Sequence, residues 1–474
     1  MTLPTSQISE PVATYLSQPP HVRRPWALTE IIAWTIIIIL AALTAVGAAM
    51  DQARSAAAPD KAPMLTFISQ YALGVHEMTK GGGGMFAGGT TDAGLMRELD
   101  ATAKVPEDRL KLAILAGELQ GPAETLRRLE SLSGDTEVEH DADIVRQLYS
   151  DDAPAETDVP GFRVRYGWFA DLALSTGGPP GNPDRVRALQ AAYRALGGLM
   201  AVALTAIGGA GLGLILLIIG LIFLFMGKIK PAFRPGANLQ PPQDRRTELE
   251  GFACYMVGMI GLSLVLHRIL NLTIRDTSPA LLALVEILAL GSAFAAGIAW
   301  PRLRGQSATD WRAALGLHAG KGLFREIGSG ILGYLAGLPI LAAGIFITAL
   351  LAKFSGTTAN HPINDVLNKG IGWLIAAFVL ASIWAPITEE IMFRGALFAS
   401  LRERFGWGIS APIVALVFAI IHPQGWVAVP ALASIALVLA GIREWRGSVI
   451  GCVTAHALHN TLTLAVAMLF LRAA

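Results

Sequence analysis

The chain alternates long apolar runs with short polar connections, and one long mixed segment interrupts the alternation. Runs almost free of charge lie at 29–50, 198–227, 251–271, 279–300, 328–352, 371–393, 408–422, 427–442 and 448–471. A helix needs ~20 apolar residues to cross the hydrocarbon core, and in lipid a spanning segment must satisfy its backbone hydrogen bonds internally. The pattern therefore predicts an all-α polytopic transmembrane bundle of about eight or nine spans, with the segments between 408 and 442 the shortest. The interruption, 51–197, carries helical periodicity of a different kind. Pro106 opens a helix bearing Leu110, Ile114 and Leu115, "GELQGP" breaks it, and Leu126, Leu129 and Leu132 repeat at helical spacing.

A helical hairpin is thus expected over 106–132, with a further helix at 183–196. The hairpin weakly resembles one tetratricopeptide-like unit, and one copy makes no repeat array. "KGGGGMFAGG" at 80–89 lacks a GK[ST] ending and reads as a flexible link, not a phosphate loop. The expected organisation is a cytoplasmic tail (1–28), a first transmembrane helix (29–50), a mostly helical extracytoplasmic domain (51–197), transmembrane helices two to four (198–300) and a C-terminal core (301–474). The polar, proline-bearing start lacks the layout of a cleaved signal, so 29–50 is expected to stay as an anchor.

Composition agrees with a membrane setting. Of 474 residues 53% are hydrophobic and 15% charged, against roughly 25% charged in a soluble domain, and mean hydropathy is +0.51. The formal net charge of +1, with no basic run, excludes a nucleic-acid partner. Cys254 and Cys452 lie in apolar segments and form no metal motif. Basic residues concentrate in alternate loops: Arg23 and Arg24; Lys228, Lys230, Arg234, Arg245 and Arg246; Arg302, Arg304, Arg312, Lys321 and Arg325; Arg402 and Arg404; Arg443 and Arg446. By the positive-inside rule these loops and the N-terminus are cytoplasmic, and 51–197 faces outward from a cell (inner) membrane.

From residue 371 the apolar helices carry an unusual polar set: Glu389, Glu390, Arg394, His422, His456, His459 and Asn460. A charge at the bilayer centre costs about 2.5–3.5 kcal/mol on insertion scales, so a cluster implies pairing or a wet cavity. Glu390 and Arg394 are spaced i, i+4 with the acid first, which suits an ion pair on one helix face. Glu389 lies about 100° around the helix and is left free for chemistry. At 1.5 Å per residue, Glu389 sits ~22 Å from the turn near Arg404, His422 ~21 Å beyond Gly408, Asn460 ~20 Å and His456 ~14 Å beyond Gly447. Three helices entering from one side thus bring a carboxylate, an imidazole and an imidazole–amide pair to similar depth. A carboxylate and a histidine at one level can deprotonate a water. An imidazole and an amide can donate to the oxygen of a tetrahedral intermediate. No serine or cysteine sits beside a base, which favours an activated water over a covalent nucleophile.

These residues carry a resemblance. "EEIMFR" at 389–394 fits EExxxR, "FAIIH" at 418–422 fits FxxxH, and "HALHN" at 456–460 fits HxxxN. In that order they resemble the CPBP family of intramembrane endopeptidases, the Rce1-like CAAX prenyl proteases also called Abi, over roughly 280–471. The resemblance implies that Glu389 and His422 activate water, that His456 and Asn460 stabilise the oxyanion, and that Glu390 and Arg394 support the site. It also implies a peptide or protein substrate reached within the bilayer. Eukaryotic members of the family trim prenylated C-termini; the outward domain and the Ala/Gly-rich chain suggest a bacterial setting without such substrates.

Three alternatives stand beside this reading. His456 and His459, spaced i, i+3, together with His422 and Glu389 offer donors for zinc, although HExxH is lacking and the favoured reading needs no metal. A non-proteolytic scaffold, or a transport-like protein lined by the same charges, is the other class; duplicated halves with interrupted helices, the mark of many transporters, are not visible. Glu286, His267 and Arg268 read as interfacial or hydrogen-bonded groups, and Gly208, Gly209, Gly211 and Gly213 as close-packing positions.

Overall fold

The computed structural model describes residues 25–57, 65–80, 92–101, 103, 105–132, 138–150, 158–179, 181–231, 245–262, 264–265, 269, 279–357 and 371–472. The glycine run at 81–89, the tail to residue 24, Arg234, His267 and Arg268 fall outside them. Among the described residues the secondary structure is helical, with no strand. Contact density divides the chain into two units, 1–53 with 207–464, and 54–206 with 465–474.

The chain opens with α1 (Leu28–Ala57). Seven helices of the second unit follow: α2 (Leu65–Lys80), α3 (Asp92–Asp100), α4 (Pro106–Gln120), α5 (Pro122–Glu130), α6 (Glu139–Tyr149), α7 (Val159–Tyr166) and α8 (Trp168–Leu174). The expected hairpin is α4 and α5. Each helix starts on a proline, which needs no intrahelical donor at that place, and Gly121 turns between them at φ 106°. The sequence pattern did not convey that α4 is central: Leu110, Leu112, Ala113, Ile114, Leu115 and Ala116 are all fully buried, on every side of the helix. A helix apolar all round belongs in a core, and the other helices of the unit pack about it.

The helix expected at 183–196 and the span expected at 198–227 form one rod, α9 (Pro183–Phe225, 43 residues). The first unit continues with α10 (Arg246–Met256), extended by a π-turn to Leu262, then α11 (Pro279–Leu303), α12 (Ala308–Leu315) and α13 (Leu323–Ser355). Next come α14 (Ile371–Val379), α15 (Ala385–Glu390) and α16 (Phe398–Arg402), a single rod interrupted by two π-segments, Leu380–Trp384 and Ile391–Leu397. It ends with α17 (Trp407–Ile420), α18 (Val429–Arg446) and α19 (Ile450–Arg472). Among the described residues seven helices are long and apolar enough to cross a membrane, while the expected span at 408–422 is the short α17. The eight or nine expected spans thus approximate the long helices plus α17 and α10.

Of the glycines read as packing positions, Gly209 and Gly213 meet α13. A Cβ at Gly213 would collide with the Leu335 carbonyl, whereas Gly208 and Gly211 face open space. Close backbone approach through small residues is the usual route to helix association in lipid.

Ion pairs gather the loop ends of the first unit. Arg404 reaches Glu30 at 2.9 Å, Arg245 reaches Glu403 at 3.2 Å, Arg304 reaches Glu250 at 3.2 Å, Arg402 grips Glu444 at 2.8 Å and Arg446 grips Glu326 at 2.6 Å. The basic residues Arg245, Arg304, Arg402, Arg404 and Arg446 thus tie neighbouring loop ends together, with their charges paired in place.

Candidate active site

The helix that carries Glu389 departs from the continuous α-helix assumed in the depth argument. Pro386 has no N–H to offer the preceding turn, and the chain answers with a π-segment at 380–384, in which the Ala385 N–H reaches back five residues to the Leu380 carbonyl. The Thr388 hydroxyl donates to the carbonyls of Trp384 and Ala385. A second π-segment begins directly after Glu390 and contains Arg394. Glu389 and Glu390 are thus displayed on a single α-turn between two widened ones, a distortion found frequently at functional sites.

Glu390 and Arg394 pair as their spacing suggests, Nη1 to Oε1 at 2.8 Å, and neither side chain has any solvent exposure. The Arg394 Nη2 also donates to the Ala436 carbonyl at 3.1 Å. Its guanidinium carbon stands 4.9 Å from the Phe418 ring centroid. Further contacts around a buried pair decide how well it is held: α18 accepts from the guanidinium through Ala436 and α17 lays the Phe418 ring against it, while Glu390 Oε2 and Arg394 Nε have no hydrogen-bond partner among the described residues. Behind it, the fully buried Arg443 of α18 donates from Nε to the Arg394 carbonyl at 3.1 Å.

Glu390 has a second duty that its spacing in the sequence does not reveal. Its Oε1 also accepts from His456 Nδ1 at 2.8 Å, joining α15 to α19. A carboxylate can only accept here, so His456 is protonated on Nδ1 and turns Nε2 to the other side. His422 is held in the same sense, because its Nδ1 bonds the Phe418 carbonyl one turn back. Both Nε2 atoms face one atom, Glu389 Oε2, each at 4.0 Å. That oxygen is buried and has no hydrogen-bond partner among the described residues.

Of the four expected catalytic side chains, Glu389, His422 and His456 are therefore brought together. Asn460 is engaged elsewhere, its Nδ2 donating to the Ala381 carbonyl at 2.7 Å. His459, offered as a fourth zinc donor, turns its Nδ1 to the Tyr334 hydroxyl at 3.4 Å. Phe418 was recognised in the sequence only as a motif letter. In the structure its ring lies 4.3 Å from that of His422, 5.9 Å from that of His456 and 5.1 Å from that of Phe393, so it packs the site from below. The i, i+4 spacing of Phe418 and His422 was the available signal, since such pairs share a helix face.

The atoms of the set suit zinc better than their spacing does. Two imidazole nitrogens and a carboxylate are suitable ligands, and both Nδ1 atoms have the partners that zinc-bound histidines usually keep. The spacing is too long, however. Bonds of ~2.0–2.1 Å at a tetrahedral angle hold ligand atoms about 3.4 Å apart, against 4.0 Å here. Among the described residues no three His, Cys, Asp or Glu side chains are arranged to hold a metal ion.

Helices long enough to span a bilayer, enclosing a buried acid and two histidines, define a polytopic membrane protein with an acid–histidine centre. Residues 371–462, which hold all three motifs, match the family model of the type II CAAX prenyl endopeptidases, Rce1-like. The match covers less than half of the chain, and that segment is similar to a membrane endopeptidase domain of the CAAX-protease type. No curated protein and no solved structure matches the chain.

Proposed function

We propose that the chain is an intramembrane endopeptidase whose Glu389 and paired histidines activate a water for attack on a peptide bond. The observation that carries this is the distance of 4.0 Å from Glu389 Oε2 to both Nε2 atoms. A water forming two hydrogen bonds of about 2.8 Å at roughly a right angle spans about 4.0 Å. Glu389 takes a proton as the water oxygen bonds to the carbonyl carbon, the carbonyl electron pair moves onto its oxygen, and the proton passes to the amine as the C–N bond breaks.

Geometry separates the two histidines. The Glu390 carboxylate holds His456 by Nδ1, so its Nε2 is turned to the space where the oxygen of a tetrahedral intermediate would gain charge. His422, held by the Phe418 carbonyl, turns its Nε2 to the same Glu389 oxygen and would bond the water.

The substrate is a polypeptide segment within or beside the bilayer, with the ion-paired loop end of the bundle on the cytoplasmic side. The test is a cleavage assay on a peptide library with the purified full chain in lipid. Glu389→Gln and His422→Ala are each expected to lose activity by 10²–10⁴-fold. Retention of activity in both variants removes the site, and inhibition by a chelator restores the zinc reading. A cellular phenotype that survives Glu389→Gln would instead support a scaffold.

A further inference from the structure

We propose that Asn460 is a positioning residue that clamps the catalytic helix, through a backbone carbonyl left without a donor by Pro386. The inference rests on the reading that Glu389 acts in the site. In the π-segment the Ala385 N–H serves Leu380. The next bond in that register would run from residue 386 to the Ala381 carbonyl, and residue 386 is proline, which has no N–H. Ala385, the α-helical donor to the same carbonyl, is already committed. An unpaired carbonyl inside a membrane protein costs several kcal/mol, and Asn460 Nδ2 fills the position at 2.7 Å.

The placement gives the bond its purpose. α19 holds the catalytic rod at two points, His456 on Glu390 at 2.8 Å and Asn460 on Ala381 at 2.7 Å. Glu389 lies between them, on the turn whose register the proline loosens. One turn of α19 separates the two side chains, so a single rigid helix fixes the widened segment on both sides of the acid. Side chains that restore backbone bonds around proline commonly make such helices tolerable in membranes. A pure oxyanion donor has no reason to be tied to this carbonyl, and the tie explains why an amide, which is never charged, occupies the position.

The test exploits the proline. Pro386→Ala restores an N–H that can serve Ala381, so it removes the need for the clamp. Amide hydrogen exchange of the full chain in lipid nanodiscs is read at residues 387–390. Asn460→Ala is expected to raise exchange there about tenfold, the loss of one net hydrogen bond, and to change it by no more than about twofold in the Pro386→Ala background. An equal rise in both backgrounds overturns the proposal. If Pro386→Ala does not fold, Asn460→Leu, which keeps the size and deletes the donor, must raise exchange at 387–390 while leaving 429–446 unchanged; no rise overturns it. These readouts need no substrate, so they stand apart from a failure of the protease reading. In the cleavage assay the clamp requires kcat to fall in Asn460→Ala, with KM kept, and to recover in the double variant. An oxyanion donor alone would leave the double variant as slow as the single one.

Discussion

Charged side chains do opposite work in the two units. In the helical unit of α2 to α8 they meet at the surface: Arg128 reaches Asp100 at 2.6 Å and Glu124 at 2.9 Å, and Arg163 reaches Asp184 at 2.8 Å, all with part of their side chains in solvent. In the first unit Glu390 and Arg394 form their pair with no exposure at all. Solvent screens the surface pairs, which contribute little each. The buried pair has no solvent to replace a lost partner, so each member is obligatory once the other is present. The difference teaches where sequence-local reasoning suffices: a surface pair can be lost without consequence, whereas the site is one connected object running from Ala436 through Arg394, Glu390 and His456.

The sharpest way to break the comparison is to remove one buried charge. Arg394→Ala is expected to destabilise the protein by about 3–5 kcal/mol, because Glu390 is left buried and uncompensated. Thermal unfolding in detergent measures it, and a shift as small as that of a surface variant would mean that water reaches Glu390. Packing inside the same unit should come next. Gly213→Leu drives a side chain into the Leu335 backbone of α13, and overpacking of this kind costs typically 1–3 kcal/mol. Gly211→Leu, one residue pair away and facing open space, should be close to neutral. Equal effects would show that α9 does not use this face. Smaller again is Arg128→Ala, expected within about 1 kcal/mol because its partners Asp100 and Glu124 remain hydrated.

The same contrast explains what could be read without coordinates. The spans were legible because lipid demands long apolar helices, and the pairing of Glu390 with Arg394 because both lie on one helix at i, i+4. The approach of Glu389, His422 and His456 followed from counting residues inward from a shared end of the bundle, which the cross-loop ion pairs of Glu30, Glu326 and Glu444 now join. The counting assumed regular α-helix. It could not supply the two π-segments, and so it could not show that Pro386 would leave Ala381 in need of Asn460 or that the i+5 register would intervene. The bond from His456 to Glu390 was equally out of reach, since it joins helices 66 residues apart and depends on which way each ring turns. In the second unit the pattern marked α4 as a helix, yet its complete burial depends on neighbours whose packing no local period encodes.

The smallest effect sharpens the comparison most directly, because it isolates solvent-exposed charge in a single group. Glu124 is held by Arg127 at 2.8 Å and by Arg128 at 2.9 Å, and these hydrogen bonds lower its pKa from the usual 4.5 to about 2. A carboxylate whose folded pKa is depressed stabilises the fold at a pH above its unfolded value and loses that contribution as pH falls through the folded one. The contribution of Glu124 is therefore complete above about pH 4.5 and disappears between there and about pH 2. Glu124→Gln should flatten the stability-against-pH curve of the helical unit in that window and leave it unchanged at pH 7 beyond the loss of a screened surface pair. The curve is followed by hydrogen exchange of α4 and α5 in the full chain, and 0.5 M salt should shrink the difference between the two proteins, since exposed pairs are screened within a few ångströms at that ionic strength. An acid-labile step of the same size in Glu124→Gln would assign the titration to another carboxylate. A step insensitive to salt would place Glu124 in a drier setting than its surface position implies, and the division between hydrated pairs outside and obligatory pairs within would have to be redrawn.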